Sequence, residues 1–271
     1  NLSKSKIREI ITKMSLRIFK DEYASIIMFV THLSKDEFII KELIKNADSI
    51  FEDAENSKFE DDIKGINQLI SNLPKQVLEL VDVEEMRNEE LEEQEDKERL
   101  LKEEEFDKEK SNYDNFELDD DISTIDFYAK ITLALKTIDI LGQVTKKHWG
   151  DIDGAQKLDL VNATYNLGLR MLNTYLNYVQ NSSLEITEHI KDIVLEKHIT
   201  DRFELKEKIE EASRDFIFKL CFVSSWGITK RISNAIGYDK LKNSFEKALK
   251  AQPTNSVKLI DLSIKLGYSG I

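Results

Sequence analysis

Apolar residues recur along this chain at steps of three and four. Ile7, Ile10, Ile11, Met14 and Ile18 share one helical face, and Tyr23, Ile26, Ile27 and Val30 continue the pattern. Ser34-Lys35-Asp36-Glu37 reads as a capping box, in which Ser and Glu satisfy each other's backbone N–H groups. It opens a helix carrying Ile40, Leu43, Ile44, Ala47 and Ile50. Ser57 to Glu60 repeats the signature ahead of Ile63, Ile66, Leu69, Ile70 and Leu73, and Pro74 is expected to stop that helix.

A second helical run begins near a Ser123 cap and carries Ile131, Leu135, Ile138 and Leu141 in one stripe. It should end at Trp149-Gly150, with glycine as a left-handed cap. Asp153 then caps the next helix, with Gln156 three residues on. Leu158, Val161, Tyr165, Leu169, Leu172 and Leu176 lie along it, so the two helices are expected to pack as an antiparallel hairpin. Residues 184–224 read as one long helix or two shorter ones. Gly227 and Gly237 punctuate the C-terminal part of the chain. It holds a short helix with Ile232 and Ala235, another with Leu241, Phe245 and Leu249 before Pro253, and a last one ending at Gly267-Tyr268. Strand-like alternation never persists, and no fixed repeat period is present.

The expected fold is therefore all-α: a multi-helix array or bundle of antiparallel helix hairpins, with an acidic, partly mobile insertion. Its 271 residues contain only 9 Gly and 2 Pro, too few for the tight turns of a β-sandwich. The expected domains are an N-terminal helical subdomain 1–81, an acidic helix or linker 82–121, and a C-terminal helical subdomain 122–271.

Charge divides the chain in the same way. Residues 82–121 hold 20 Asp/Glu and 6 Lys/Arg, while the whole chain has a net charge of −13. The other residues are thus close to neutral. Two roles compete for the acidic segment: a solvated helix with a linker, or an arm that masks a basic surface. Residues 219–271 carry nine Lys/Arg and three acids. A latch between 82–121 and 219–271 is one expectation, and deleting 88–118 would then change interdomain affinity and its salt dependence.

Chemical motifs are few. The chain has no G-x-x-x-x-G-K-[ST] loop, no G-x-G-x-x-G, no G-x-S-x-G and no H-E-x-x-H. No catalytic, cofactor-binding or metal-binding residue is assigned. The lone Cys221 sits in an apolar run and reads as a buried structural thiol, which favours a cytoplasmic setting. His189 and His198 lie out of phase on a helix, and His148 suits a helix end, where the dipole favours a cation. Asp151-Ile152-Asp153-Gly154 opens like a calcium loop, but its twelfth position is Asn162 rather than Glu. Asp119, Asp120 and Asp121 read as solvated carboxylates. No stretch approaches the ~20 apolar residues of a membrane span, so no membrane partner is expected. The candidate interaction surface consists of Lys230, Arg231, Lys240, Lys242, Lys146, Lys147 and Trp149; Lys146-Lys147-His148-Trp149 is a cationic run ending in an aromatic, for which capping and packing at a helix end is the leading alternative.

Several strings together carry a resemblance: Leu33-Ser34-Lys35-Asp36; Val81-Asp82-Val83-Glu84-Glu85 with Arg87; Ile138-Asp139-Ile140-Leu141-Gly142-Gln143; Tyr165-Asn166-Leu167-Gly168-Leu169-Arg170; and Val257 through Leu266. In this order the chain resembles the helical region that lies after the P-loop core of bacterial STAND-type NTPases, a class linked to signalling and anti-phage defence. The resemblance implies a noncatalytic sensor, transducer or oligomerisation module. ATP and Mg are then expected only in an upstream domain, and Asn1 opening inside an amphipathic pattern fits a piece of a longer protein. Expected partners are other domains of the same polypeptide, a protein partner or a second copy in a homo-oligomer. The alternative is a nucleic-acid-associated accessory domain using the basic 219–271 segment. A helical enzyme with an unrecognised site is a third reading.

Overall fold

The computed structural model describes residues 4–33, 36–98, 126–195 and 201–268. Every regular element among them is helical: α1 (Lys4–Ser15), α2 (Asp21–Leu33), α3 (Glu37–Ser49), α4 (Glu60–Glu98), α5 (Phe127–Lys147), α6 (Gly154–Asn181), α7 (Ser183–Leu195), α8 (Arg202–Ile236), a 3-10 turn (Asp239–Leu241), α9 (Lys242–Ala251) and α10 (Asn255–Tyr268). The all-α expectation holds. The acidic stretch is helical as far as Glu98, and the rest of it, with Ser123 and Asp119 to Asp121, lies outside the described residues.

The chain folds into two compact units, each discontinuous in sequence. One comprises 1–66, 121–180 and 219–271, and the other 67–120 and 181–218. The division therefore follows neither 1–81 nor 122–271. Both α4 and α8 contribute residues to each unit.

In the larger unit, Ile27, Leu43, Ala47 and Ile50 bury against Leu133, Ile138, Leu141 and Leu167, joining α2 and α3 to α5 and α6. A second cluster packs Val161, Tyr165 and Leu169 of α6 against Ile232 and Ile236 of α8, and against Phe245, Val257 and Ile260. Arg170 of α6 and His148, which follows α5, also contact the C-terminal ends of α3 and α2. The Arg170 guanidinium donates to the carbonyls of Ala47 (2.6 Å), Asp48 and Ile50 (both 3.3 Å) at the end of α3. His148 Nε2 lies 2.7 Å from the Thr31 carbonyl near the end of α2. The loop after α3 is tied down too: Asn56 donates to Asn166 (2.8 Å), and Ser256 donates from Oγ to the Ser57 carbonyl (2.7 Å). The smaller unit has its own core of Val77, Val194 and Ile209, with Ile190 and Leu205 packed around it.

Local chemistry explains where elements begin. Asp153 Oδ1 accepts from the N–H groups of Ala155 and Gln156 (both 2.8 Å), and Gln156 accepts from Asp153 N, the reciprocal cap expected for α6. Elsewhere the cap shifts to a neighbouring carboxylate. Asp36 caps α3, by accepting from Phe38 N, while Ser34 lies outside the described residues, and Asp126 caps α5, by accepting from Tyr128 N. At α4, Asp62 takes the role expected of Glu60, accepting from Ser57 Oγ and from the N–H groups of Lys58 and Phe59.

Three expected boundaries differ. Pro74 lies inside α4 instead of ending it. Proline removes one backbone donor there, while Leu69, Leu73 and Val77 around it are all buried, so packing holds the helix through the defect. Gly227 lies inside α8, which runs unbroken to Ile236. α5 ends at Lys147 with His148 as cap at φ −98°, so no left-handed glycine closes it.

Candidate functional site

Helices α5 and α8 lie side by side. The pairs Asp139–Arg231, Lys146–Asn234, Gly142–Ala235 and Trp149–Tyr238 fix their relation. From Asp139–Arg231 through Gly142–Ala235 to Trp149–Tyr238 the residue numbers rise together, so the two helices run in the same direction. They approach closely at Gly142, where a Cβ would lie 2.3 Å from the Ala235 carbonyl oxygen. Only glycine allows that approach. Gly168 of α6 performs the same service from another side, since a Cβ there would lie 2.4 Å from Ile232 Cδ1.

Two concavities flank this contact. One is a groove of about 710 Å³ bordered by Asp139, Gln143, Lys146, Trp226, Lys230 and Arg231, with Gly227 and Asn234. The other is a pocket of about 340 Å³ between Ile131 and Leu135 of α5, Met171 and Tyr175 of α6, and Ile228 of α8. Gly227 and Arg231 belong to the walls of both. Met171, one of the lining residues, is itself buried.

The expected surface residues fall into three groups. Lys146, Lys230 and Arg231 converge on the groove. Lys146 Nζ donates to the Asn234 carbonyl (2.6 Å), and burial pushes its pKa below the ordinary lysine range. Lys230 Nζ stands 6.0 Å from the centre of the Trp226 ring. Arg231 forms a two-point ion pair with Asp139, through Nε and Nη2. Trp149 and Lys240 belong to a separate aromatic cluster. Lys240 and Lys157 lie 6.0 and 5.8 Å from the Trp149 ring centre, and Tyr238 meets that ring edge-on at 6.1 Å. Lys147 and Lys242 are exposed and line neither concavity.

The groove thus offers three cations against one carboxylate, beside a half-exposed indole. Sequence reading missed Asp139, Gln143, Trp226 and Gly227. One signal was available: Trp226 and Lys230 stand four apart on a helix, the spacing at which side chains meet. The apolar run before Trp226 hid it, since that run reads as core. In fact Phe222, Val223 and Trp226 are exposed, at 59, 63 and 51%, while Cys221 is buried.

Asp153 is a helix cap, Asp151 lies 3.7 Å from His148 Nδ1, and His189 is exposed. His198 lies outside the described residues. Among the described residues no group of three His, Cys, Asp or Glu side chains is placed to hold a metal ion. No helix among them is long and apolar enough to cross a membrane. Comparison with family models, with curated proteins and with solved structures gives no match.

Proposed function

We propose that this chain is a noncatalytic helical sensor or transducer within a larger bacterial signalling NTPase, in the setting of anti-phage defence. It receives an anionic partner on the α5–α8 face. The NTPase context rests on the resemblance of the helix-packing strings. The sensing role rests on one observation: Lys146, Lys230 and Arg231 converge on a groove with an exposed Trp226, with Asp139 as the opposing charge. Helix α8 supports transduction, because it carries groove residues at one end and belongs at the other to the second compact unit. ATP and Mg belong to an upstream domain in this reading, and the setting is cytoplasmic.

The test uses the complete reading frame. ATP binding and hydrolysis are measured for the parent, for the parent lacking 1–271, and for a Lys146→Glu/Lys230→Glu variant. The expected result is ATP turnover whose regulation is lost on deletion and altered by charge reversal. A parent with no nucleotide-binding segment, or one whose regulation survives deletion, overturns the proposal.

A nucleic-acid-associated role is the second reading, favoured by the stacking surface that Trp226 offers beside Lys230 and Arg231. It predicts oligonucleotide binding that weakens steeply with added salt. Absence of binding at low salt removes it.

A further inference from the structure

Glycine inside a helix weakens it relative to alanine. Gly142 and Gly168 repay that weakness with close packing. Gly227 does not, because a Cβ built on it meets nothing within 4 Å. Its missing side chain leaves space in the wall that the apolar pocket and the cationic groove share. One helical turn further on, Arg231 stands in the same wall. Asp139 engages its Nε and Nη2, and a guanidinium has five N–H donors, so others remain for a second anion.

The two concavities differ in chemistry. Ile131, Leu135, Met171 and Ile228 make the pocket apolar, whereas Lys146, Lys230 and Arg231 make the groove cationic. An apolar group on the pocket side of Gly227 would therefore be joined to a negative charge on the groove side. Taken singly, the groove (about 710 Å³) and the pocket (about 340 Å³) each fall in the range of small-molecule sites.

We infer that the pocket and groove form one binding site for a small amphipathic carboxylate, its hydrocarbon chain against Met171 and its anionic group on Arg231 and the groove lysines. The inference rests on the sensor reading above and names the ligand class. Arg231 supplies the anion contact, Gly227 keeps the passage open, and the pocket selects chain length.

The probes are decanoate, butyrate and decanol, titrated by calorimetry into the full chain below micellar concentration. Decanoate is expected to bind saturably, at least tenfold tighter than decanol. Butyrate should bind far more weakly, since each buried methylene contributes about fourfold in affinity. Gly227→Leu fills the passage without a clash at Cβ, so it should lower decanoate affinity at least tenfold with no drop in melting temperature. Arg231→Gln should reduce decanoate to the level of decanol. Equal binding of decanol and decanoate, undiminished binding by the Gly227→Leu chain, or no binding of decanoate each overturn the inference. Those outcomes concern the ligand alone; the sensor reading fails separately, in the parent ATPase assay.

Discussion

Burial lifts the Cys221 thiol from its ordinary 9.0 to about 11. In the unfolded chain the same thiol ionises first as pH rises. Between the two values the unfolded state binds fewer protons, so this contribution to stability is complete below pH 9 and is lost as pH rises toward 11. Urea unfolding at about pH 8 and about pH 10 should show this loss in the native sequence and a smaller one in Cys221→Ala. Arg170 has a different task. Its guanidinium is half-buried, held below the usual arginine range by desolvation, and occupied by three carbonyls at the end of α3. Arg170→Met leaves those carbonyls without their charged donor and should cost about 2–3 kcal/mol in chemical denaturation. Arg170→Lys should recover part of that, since an ammonium supplies the charge but not the planar fork.

At the scale of elements, the structure sorts the interior glycines by what surrounds them. Alanine is favoured over glycine in a helix by about 1 kcal/mol. At Gly142 that gain is outweighed, because the new Cβ meets the Ala235 backbone and two helices must move apart. Gly142→Ala should therefore lower the melting temperature, with a net cost of about 1–2 kcal/mol. Gly227→Ala meets no obstacle and should raise it, by up to about 1 kcal/mol in free energy. If both substitutions shift stability the same way, the parallel contact of α5 and α8 is misdrawn. This contrast was not legible in the sequence, where both glycines sit among apolar residues. The cap of α6 was legible, because Asp153 and Gln156 act within four residues of each other. Pro74 was misread for the opposite reason: the burial of Leu69, Leu73 and Val77, which keeps α4 intact around it, depends on distant segments.

For the whole molecule, the all-α class came from periodicity and from the scarcity of glycine and proline. The compact units did not, because both are assembled from segments far apart in sequence. The candidate surface was half legible. Lys146, Lys230 and Arg231 stand in the sequence as scattered cations, and the fold gathers them; Lys147 and Lys242 stay outside the groove. Asp139, which sets the orientation of Arg231, reads in the sequence as one acid among 52. The parallel pairing itself has a kinetic consequence. Asp139 and Arg231 are 92 residues apart, so their contact closes a long loop, whereas the contacts between α5 and α6 span a short one. Loop-closure entropy then delays the docking of α8 until its framework exists. In refolding, the groove should appear after most helical signal has returned, and in native-state hydrogen exchange the α8 segment beside it should open before the α5–α6 pair does. The groove face would be the last part of the unit to form and the first to be lost.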